Sequence, residues 1–287
     1  MMRAYLPAMP PHIIERAVKA AFLEDLGEAG DITSQATIGP DAKAVATINA
    51  RGVGVICGLE CAIAAFSLIG PGLDTTRFVA DGSMVAAGEA ILEVRGNARN
   101  LLAAERTALN FLTHLSGIAT LTRDFVLETK GTNAHICCTR KTTPGLRALE
   151  KYAVRCGGGH NHRFGLNDAI LIKDNHIAVA GGVSAAIAAA RAFAGHLVAI
   201  EVEVDTLDQL QHALDAGVAA ILLDNMDQDT LARAVAITAG RSKLEASGNV
   251  TLERVAAIAR TGVDYISTSR ITSASVPLDL GLDISID

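Results

Sequence analysis

The chain has 287 residues, half of them apolar, and 25 Lys and Arg against 31 Asp and Glu give a net charge of −6. The apolar fraction excludes disorder through low hydrophobicity, and the acidic balance speaks against general nucleic-acid binding, which needs a basic field. Aromatic residues make up only 3% and Trp is absent, so the apolar content is Ala, Val, Ile and Leu, which suits parallel strands under covering helices.

No run reaches the roughly 18 uncharged apolar residues of a membrane span. The start, Met1 to Pro7, has no apolar core before Pro10-Pro11 and does not read as a signal peptide. Five cysteines (Cys57, Cys61, Cys137, Cys138, Cys156) include no CxxC pair and read as reduced thiols of a cytoplasmic protein, not as a zinc site.

Apolar residues recur at helical spacing over 12–26, and Gly27 follows as a stop. Val45, Thr47 and Asn49 then alternate with Ala44, Ala46 and Ile48 as a strand, and Gly52 to Cys57 reads as a second, short one. Asp81 to Gly96 reads as strand, turn, strand. It resembles the biotinyl carrier hairpin, but the turn offers Ala86-Ala87-Gly88 and no Lys, so a structural hairpin is the better reading. Residues 98–128 carry Leu102, Leu109, Leu112, Leu115, Leu121 and Phe125, a helix that Ser116-Gly117 is expected to interrupt or bend. Residues 1–116 therefore read as a small α+β domain.

From residue 132 the pattern becomes short apolar runs: 134–138, 169–172, 198–202, 220–223, 243–246 and 265–267. Ala-rich helical stretches at 184–194, 207–216, 230–239 and 252–260 lie between the later ones, giving the spacing of β/α units. Six such units without a GxGxxG fingerprint favour a closed parallel barrel over 117–274, with a flavodoxin-like open sheet as the competitor. Leu278, Leu280, Leu282, Ile284 and Ile286 alternate with polar or small residues, so 275–287 reads as a strand that leaves the barrel and pairs with the N-terminal sheet.

The strand ends carry the chemistry: Thr139-Arg140-Lys141-Thr142-Thr143, Lys173-Asp174-Asn175-His176, Glu201 with Glu203, Asp224-Asn225, Ser247-Gly248-Asn249 and Ser267-Thr268-Ser269-Arg270. Catalytic groups of α/β barrels come from the C-terminal ends of several strands, which converge on one mouth. Arg140, Lys141, Lys173 and the loop His160-Asn161-His162-Arg163 concentrate positive charge in an acidic protein, so the ligand reads as polyanionic. Glu203 and Asp224 beside a polyanion are unfavourable unless a cation lies between, and Mg²⁺ bridging carboxylates to substrate phosphates resolves this. Which of Glu201, Glu203 and Asp205 faces the mouth depends on register, which stays open at this point.

Ser247-Gly248 suits a turn whose N–H groups approach a phosphate, ahead of a helix starting near Thr251. Two other readings carry less weight. His160 and His162, with His176 or Asp174, would make a zinc hydrolase, and Lys173 would be the Schiff-base lysine of an aldolase only in an apolar pocket.

Longer motifs then bring a resemblance. Glu105-Arg106-Thr107-Ala108-Leu109-Asn110, Thr139 to Gly145, His162-Arg163-Phe164-Gly165-Leu166, Ile172-Lys173-Asp174-Asn175-His176, Glu201-Val202-Glu203-Val204 and Leu222-Leu223-Asp224-Asn225 resemble the quinolinate phosphoribosyltransferases, also called nicotinate-nucleotide pyrophosphorylases (carboxylating). Glu24 to Gly27 and Gly30 to Ser34 resemble them too, so the likeness runs from about residue 10 to the end. It implies an α/β fold: an incomplete parallel barrel of about six strands plus a smaller N-terminal α+β sandwich, joined by the C-terminal strand and assembled as a homodimer, or something larger, with shared active sites.

The implied activity is that of a decarboxylating pentosyltransferase in NAD biosynthesis, joining quinolinate to phosphoribosyl pyrophosphate with Mg²⁺ and giving nicotinate mononucleotide, pyrophosphate and CO₂. Carried over, Arg106 reaches quinolinate from the partner subunit, and Arg140, His162, Arg163 and Lys173 bind its carboxylates locally. Lys141 and Lys173 face phosphoribosyl pyrophosphate, Glu203 and Asp224 serve the Mg²⁺ and ribose region, and Ser247, Gly248 and Ser269 lie near the 5′-phosphate. Two departures touch that phosphate site: Asn249 stands where the family often has a second Gly, and Thr268-Ser269 where it often has Val-Gly. The alternatives are a molybdenum-transport-associated relative of the same fold and a non-catalytic anion-binding module.

Overall fold

The computed structural model describes residues 6–285; Met1–Tyr5 and the expected strand residues Ile286 and Asp287 lie outside it. The chain divides into two compact units, one holding the residues up to Arg123, Thr143–Gly158 and those from Ala274, the other Asp124–Thr142 and Gly159–Ser273.

In the first unit, α1 (Pro11–Leu26) opens with Pro at its first turn, where a missing N–H costs no hydrogen bond, and packs Ile14 and Val18 inward. There follow α2 (Ile32–Thr37), capped by the Asp31 carboxylate on the Ser34 N–H, β1 (Lys43–Ala50), β2 (Gly54–Val55) and α3 (Leu59–Leu68). Then come β3 (Leu73–Arg77), β4 (Met84–Val85), β5 (Ala90–Asn97) and α4 (Ala98–Glu128). The core is built on Ile48, Phe66, Leu92, Val94, Leu101 and Leu112, all without solvent exposure.

The stretch 81–96 is not a hairpin. Its first strand, β4, pairs with β2 in a separate two-stranded ribbon, while β5 pairs antiparallel with β1 and β3. Local alternation identified both strands, but their partners lie elsewhere in sequence.

Nor does α4 break at Ser116-Gly117; it runs unbroken for 31 residues and carries the expected domain boundary inside it. Both residues serve close packing. Ser116 Oγ accepts the Cys57 N–H (2.9 Å) and donates to the Cys57 carbonyl (3.2 Å). A Cβ on Gly117 would lie 2.3 Å from the Val276 carbonyl oxygen.

The second unit takes in the end of α4 from Asp124, and its first strand is β6 (His135–Cys137); α5 (Arg147–Cys156) then belongs to the first unit, although the sequence reading placed 117–274 together. The β/α alternation continues with β7 (Ile170–Ile172), α6 (Asp174–Ala180), α7 (Val183–Phe193), β8 (Ile200–Val204), α8 (Leu207–Asp215), β9 (Ala220–Asp224) and α9 (Gln228–Thr238). It ends with β10 (Lys243–Ser247), α10 (Leu252–Ala259), β11 (Tyr265–Ser267) and the short α11 (Arg270–Ser273).

All its pairings are parallel, in the order β6-β11-β10-β9-β8-β7. Since β6 and β7 stand at opposite ends of that order, no strand pairing among the described residues closes the barrel, which corrects the closed reading and agrees with the incomplete barrel. The Cys137–His160 bridge continues the order beyond β6 for one residue. The chain's last strand, β12 (Leu280–Ser285), belongs to the first unit and pairs antiparallel with β1 from Val45↔Ser285 to Ala50↔Leu280, as the alternation predicts. Among the described residues no single helix is long and apolar enough to cross a membrane.

Gly117→Ala tests the packing of α4. Ala gains about 1 kcal/mol over Gly in a helix interior, but the collision with the Val276 carbonyl is expected to cost more, for a net loss of about 1–3 kcal/mol. Equilibrium denaturation reads this as a lower midpoint.

Candidate active site

The C-terminal ends of the barrel strands open into a cavity of about 810 Å³. Its lining includes Arg140, Lys141, His162, Arg163, Lys173, Glu203, Asp224, Ser247, Gly248 and Ser269. Ten of the eleven singled-out residues thus share one pocket; the eleventh, Arg106, sits on the exposed face of α4 in the other unit. Thr139, Asn225, Asn249, Thr268 and Arg270 join the lining, each the neighbour of a polar strand end.

Period two puts Glu201 and Glu203 on one face of β8, so their places along the strand decide which of them meets the mouth. Glu203 is buried and lines the cavity, where it pairs with the Lys173 ammonium. Glu201, one pleat back, lines instead a second cavity of about 410 Å³ toward the N-terminal ends of the strands. The Lys173 pairing disfavours the aldolase reading, because a Schiff-base lysine needs an apolar surrounding.

Arg163 sets the charge character of the pocket. Its Nη1 donates to the Ala169 carbonyl (3.0 Å), while Nε is buried without a hydrogen-bond partner. Burial and then the neighbouring Arg140 charge lower its pKa. Two guanidiniums held near each other and partly out of water call for an anion between them. The Arg163 loop is itself fixed by Asp168, whose carboxylate accepts the N–H groups of Phe164 (2.5 Å) and Gly165 (2.8 Å).

Across the mouth, β9 and β10 end in an interlock. The Asn225 N–H donates to the Ser247 carbonyl (2.9 Å), and Asn249 Nδ2 donates to Asn225 Oδ1 (3.2 Å). Asn225 and Asn249 both adopt left-handed conformations (φ 55° and 49°), which Asn tolerates better than most residues, so Asn249 keeps the backbone that a glycine would supply. Gly248 (φ 92°) has no such latitude: a Cβ there would lie 2.2 Å from Asn225 Oδ1. At the β11 end, Thr268 Oγ1 accepts the Arg270 N–H (3.2 Å), and Thr272 Oγ1 donates to the Lys141 carbonyl (2.7 Å), tying the Lys141 backbone to α11.

Asp224 and Glu203 are pocket carboxylates of the oxygen type that a hard divalent cation takes. Asp224 uses Oδ2 to accept Asn225 Nδ2 (2.6 Å), leaving Oδ1 for another partner, and Glu203 shares the pocket with it. The zinc alternative fails on geometry. His160 stacks on His135 with ring centroids 4.3 Å apart, and His176 Nδ1 accepts the Lys173 N–H (2.9 Å). His162 groups instead with Glu201 and Glu245 within 4.8 Å, where a ring proton occupies the space between.

That proton is located by the neighbouring donor. His162 Nδ1 accepts the Arg163 N–H (2.8 Å), so Nε2 carries the hydrogen and donates it to Glu201 Oε2 (2.8 Å). In the first unit, Cys57, Asp81 and Cys156 also lie within 4.8 Å, yet both Asp81 oxygens are taken, by the Leu59 N–H (3.1 Å) and the Tyr152 hydroxyl (3.0 Å). The five cysteines are free thiols.

Glu245 escaped the sequence reading. It is buried, lies 3.8 Å from His162 Nε2, and has an Oε1 without a hydrogen-bond partner. Burial, then the Glu201 charge, push its pKa up from 4.5 to about 7. Between those values the folded protein binds the proton that the unfolded chain releases, so stability falls as pH rises through the window. Glu245→Gln, which resembles the protonated form, is expected to exceed the wild type by about 1–3 kcal/mol at pH 8 and to match it near pH 4.5. Denaturant midpoints at the two pH values check this.

The sequence matches two family models in succession. The one described as quinolinate phosphoribosyl transferase, N-terminal domain, covers residues 31–116, and its C-terminal counterpart covers 118–283. A probable nicotinate-nucleotide pyrophosphorylase [carboxylating] of Bacillus subtilis is 45% identical over 273 residues, 95% of this chain and 94% of the relative. A mitochondrial quinolinate phosphoribosyltransferase [decarboxylating] of Nicotiana tabacum is 40% identical, over 98% of this chain and 85% of its own. The solved nicotinate-nucleotide pyrophosphorylase of Francisella tularensis superposes with a TM-score of 0.94 at 39% identity, covering 99% of this chain and 100% of its own. Sequence and fold agree, and the chain belongs to the quinolinate phosphoribosyltransferase family.

Proposed function

We propose that this protein transfers the phosphoribosyl group of phosphoribosyl pyrophosphate to quinolinate with loss of CO₂, giving nicotinate mononucleotide and pyrophosphate for NAD biosynthesis. The observation that carries the reading is the pair of guanidiniums, Arg140 and Arg163, in one pocket with Lys141 and Lys173. A pyridine dicarboxylate supplies two anionic groups for them, and planar forks match carboxylates better than point charges do. The relatives favour this activity over that of a molybdenum-associated paralogue, and the Glu203–Lys173 pair gives the pocket more than a simple anion site needs.

In this reading Arg140, Arg163 and Lys173 hold the substrate carboxylates so that the pyridine nitrogen faces the anomeric carbon of the second substrate. The nitrogen attacks that carbon as the C–O bond to pyrophosphate breaks. Lys141 offsets the negative charge growing on the leaving group, and the acidic side of the pocket, Glu203 and Asp224, offsets the positive charge on the ribose. Asp224, with Glu203, would hold Mg²⁺, which when bound with phosphoribosyl pyrophosphate neutralises its phosphates. Ser247, Gly248 and Ser269 offer the 5′-phosphate donors at the interlocked turns. The carboxylate next to the quaternised nitrogen then leaves as CO₂; the electron pair stays on that ring carbon, stabilised by the adjacent positive nitrogen, and takes up a proton from water to form the C–H bond, so no side-chain nucleophile is needed.

Arg106 suits a homodimer in which each pocket borrows this residue from the partner, and a cytoplasmic location goes with the reduced thiols. Purified protein is expected to release CO₂ and pyrophosphate from quinolinate with phosphoribosyl pyrophosphate and Mg²⁺, and to turn over nicotinate poorly. Well-folded protein without quinolinate-dependent CO₂ release would reject the assignment. Mixing Arg106→Ala with Lys141→Ala protein, each inactive alone, is expected to restore up to about a quarter of wild-type activity after subunit exchange, because half the dimers then hold one intact site. No recovery would show that each pocket is built within one chain.

A further inference from the structure

The interior of an α/β barrel is ordinarily filled by branched apolar side chains. Here its middle holds an imidazole and two carboxylates: His162, Glu201 and Glu245. His162 and Glu245 line both the substrate pocket and the lower cavity, whereas Glu201 lines the lower cavity alone. Glu201 therefore approaches the site from behind and does not face the reacting atoms.

Both ring nitrogens of His162 are engaged by the protein. Nδ1 accepts the backbone N–H of Arg163, and Nε2–H is directed at Glu201. Were the proton on Nδ1 instead, it would oppose the Arg163 N–H, and the peptide that carries Arg163 would lose its acceptor. The tautomer is thus tied to the conformation of the residue whose guanidinium flanks Arg140. A carboxylate at hydrogen-bond distance from one ring nitrogen fixes which nitrogen carries the hydrogen.

We propose that Glu201 is a positioning residue: by accepting the Nε2 hydrogen it holds His162 in one tautomer, whose Nδ1 fixes the Arg163 backbone and so aims the guanidinium at a substrate carboxylate. His162 acts through Arg163 in this arrangement. The inference rests on the preceding reading only in taking the anion to be a pyridine dicarboxylate.

The test uses the full-length protein with ¹⁵N-labelled histidine, the His162 signal being assigned by its loss in His162→Asn. The wild type is expected to show His162 protonated on Nε2 and bare on Nδ1. In Glu201→Ala that preference is lost, the KM for quinolinate rises about 10- to 100-fold, and the KM for phosphoribosyl pyrophosphate stays within about 2-fold of its wild-type value. Glu201→Gln, whose amide oxygen still accepts the hydrogen, restores the tautomer and most of the affinity. An unchanged tautomer and quinolinate KM in Glu201→Ala would overturn the proposal. So would equal rises in both KM values, or a Gln variant no better than Ala, since either marks a merely structural role. If the wild type turns over no quinolinate, the assigned reaction fails, and the tautomer measurement on Glu201→Ala and Glu201→Gln then decides the role of Glu201 by itself.

Discussion

Placing two guanidiniums close together and partly out of water is unfavourable until an anion separates them, and the pocket is organised around that condition. Arg163 bears it most directly, with Nε buried and unpartnered and its pKa lowered by burial and by Arg140. The barrel meets the condition with fixed geometry: strand ends set the Cα positions, Asp168 clamps the loop, and the Ala169 carbonyl takes one arm of the fork. Opposite these cations, Glu203 and Asp224 stand on neighbouring strands, and Lys173 keeps Glu203 from being an unpaired buried charge. A site so arranged favours a ligand that is anionic at two places and turns cationic at its centre during reaction.

Much of this was legible in the sequence because a parallel barrel writes its pattern plainly. Short apolar runs mark buried strands, and the polar residues just after them mark the mouth. Ten of the residues chosen on that basis line one pocket. Glu201 and Glu203 were both visible, but only strand pairing tells which faces the substrate. Glu245 was hidden inside Lys243-Leu244-Glu245-Ala246, where it reads as part of a strand. The available signal was its distance of two residues from Ser247, which puts it on the same face as a residue of the mouth.

The N-terminal unit was less legible, for one physical reason: its pairings are non-local. β4 and β5 are neighbours in sequence but belong to different sheets, and no local pattern reports that. Ser116 and Gly117 carry the signature of a break, yet each is what allows another backbone segment to approach α4. Propensity is a preference averaged over contexts, and close packing reverses it where a side chain would not fit. At Asn249 local chemistry sufficed, because Asn and Gly share access to the left-handed region that the turn requires.

The pairing of β12 with β1 bears on how the chain reaches this state. Val45 and Ser285 meet across 240 positions of sequence, so during synthesis the whole β/α succession emerges before the strand that covers β1. Until then one border of that sheet presents unsatisfied N–H and C=O groups, the kind of surface on which nascent chains stick to one another. Ribosome-bound intermediates of this protein are therefore most vulnerable in the half that is made first and completed last.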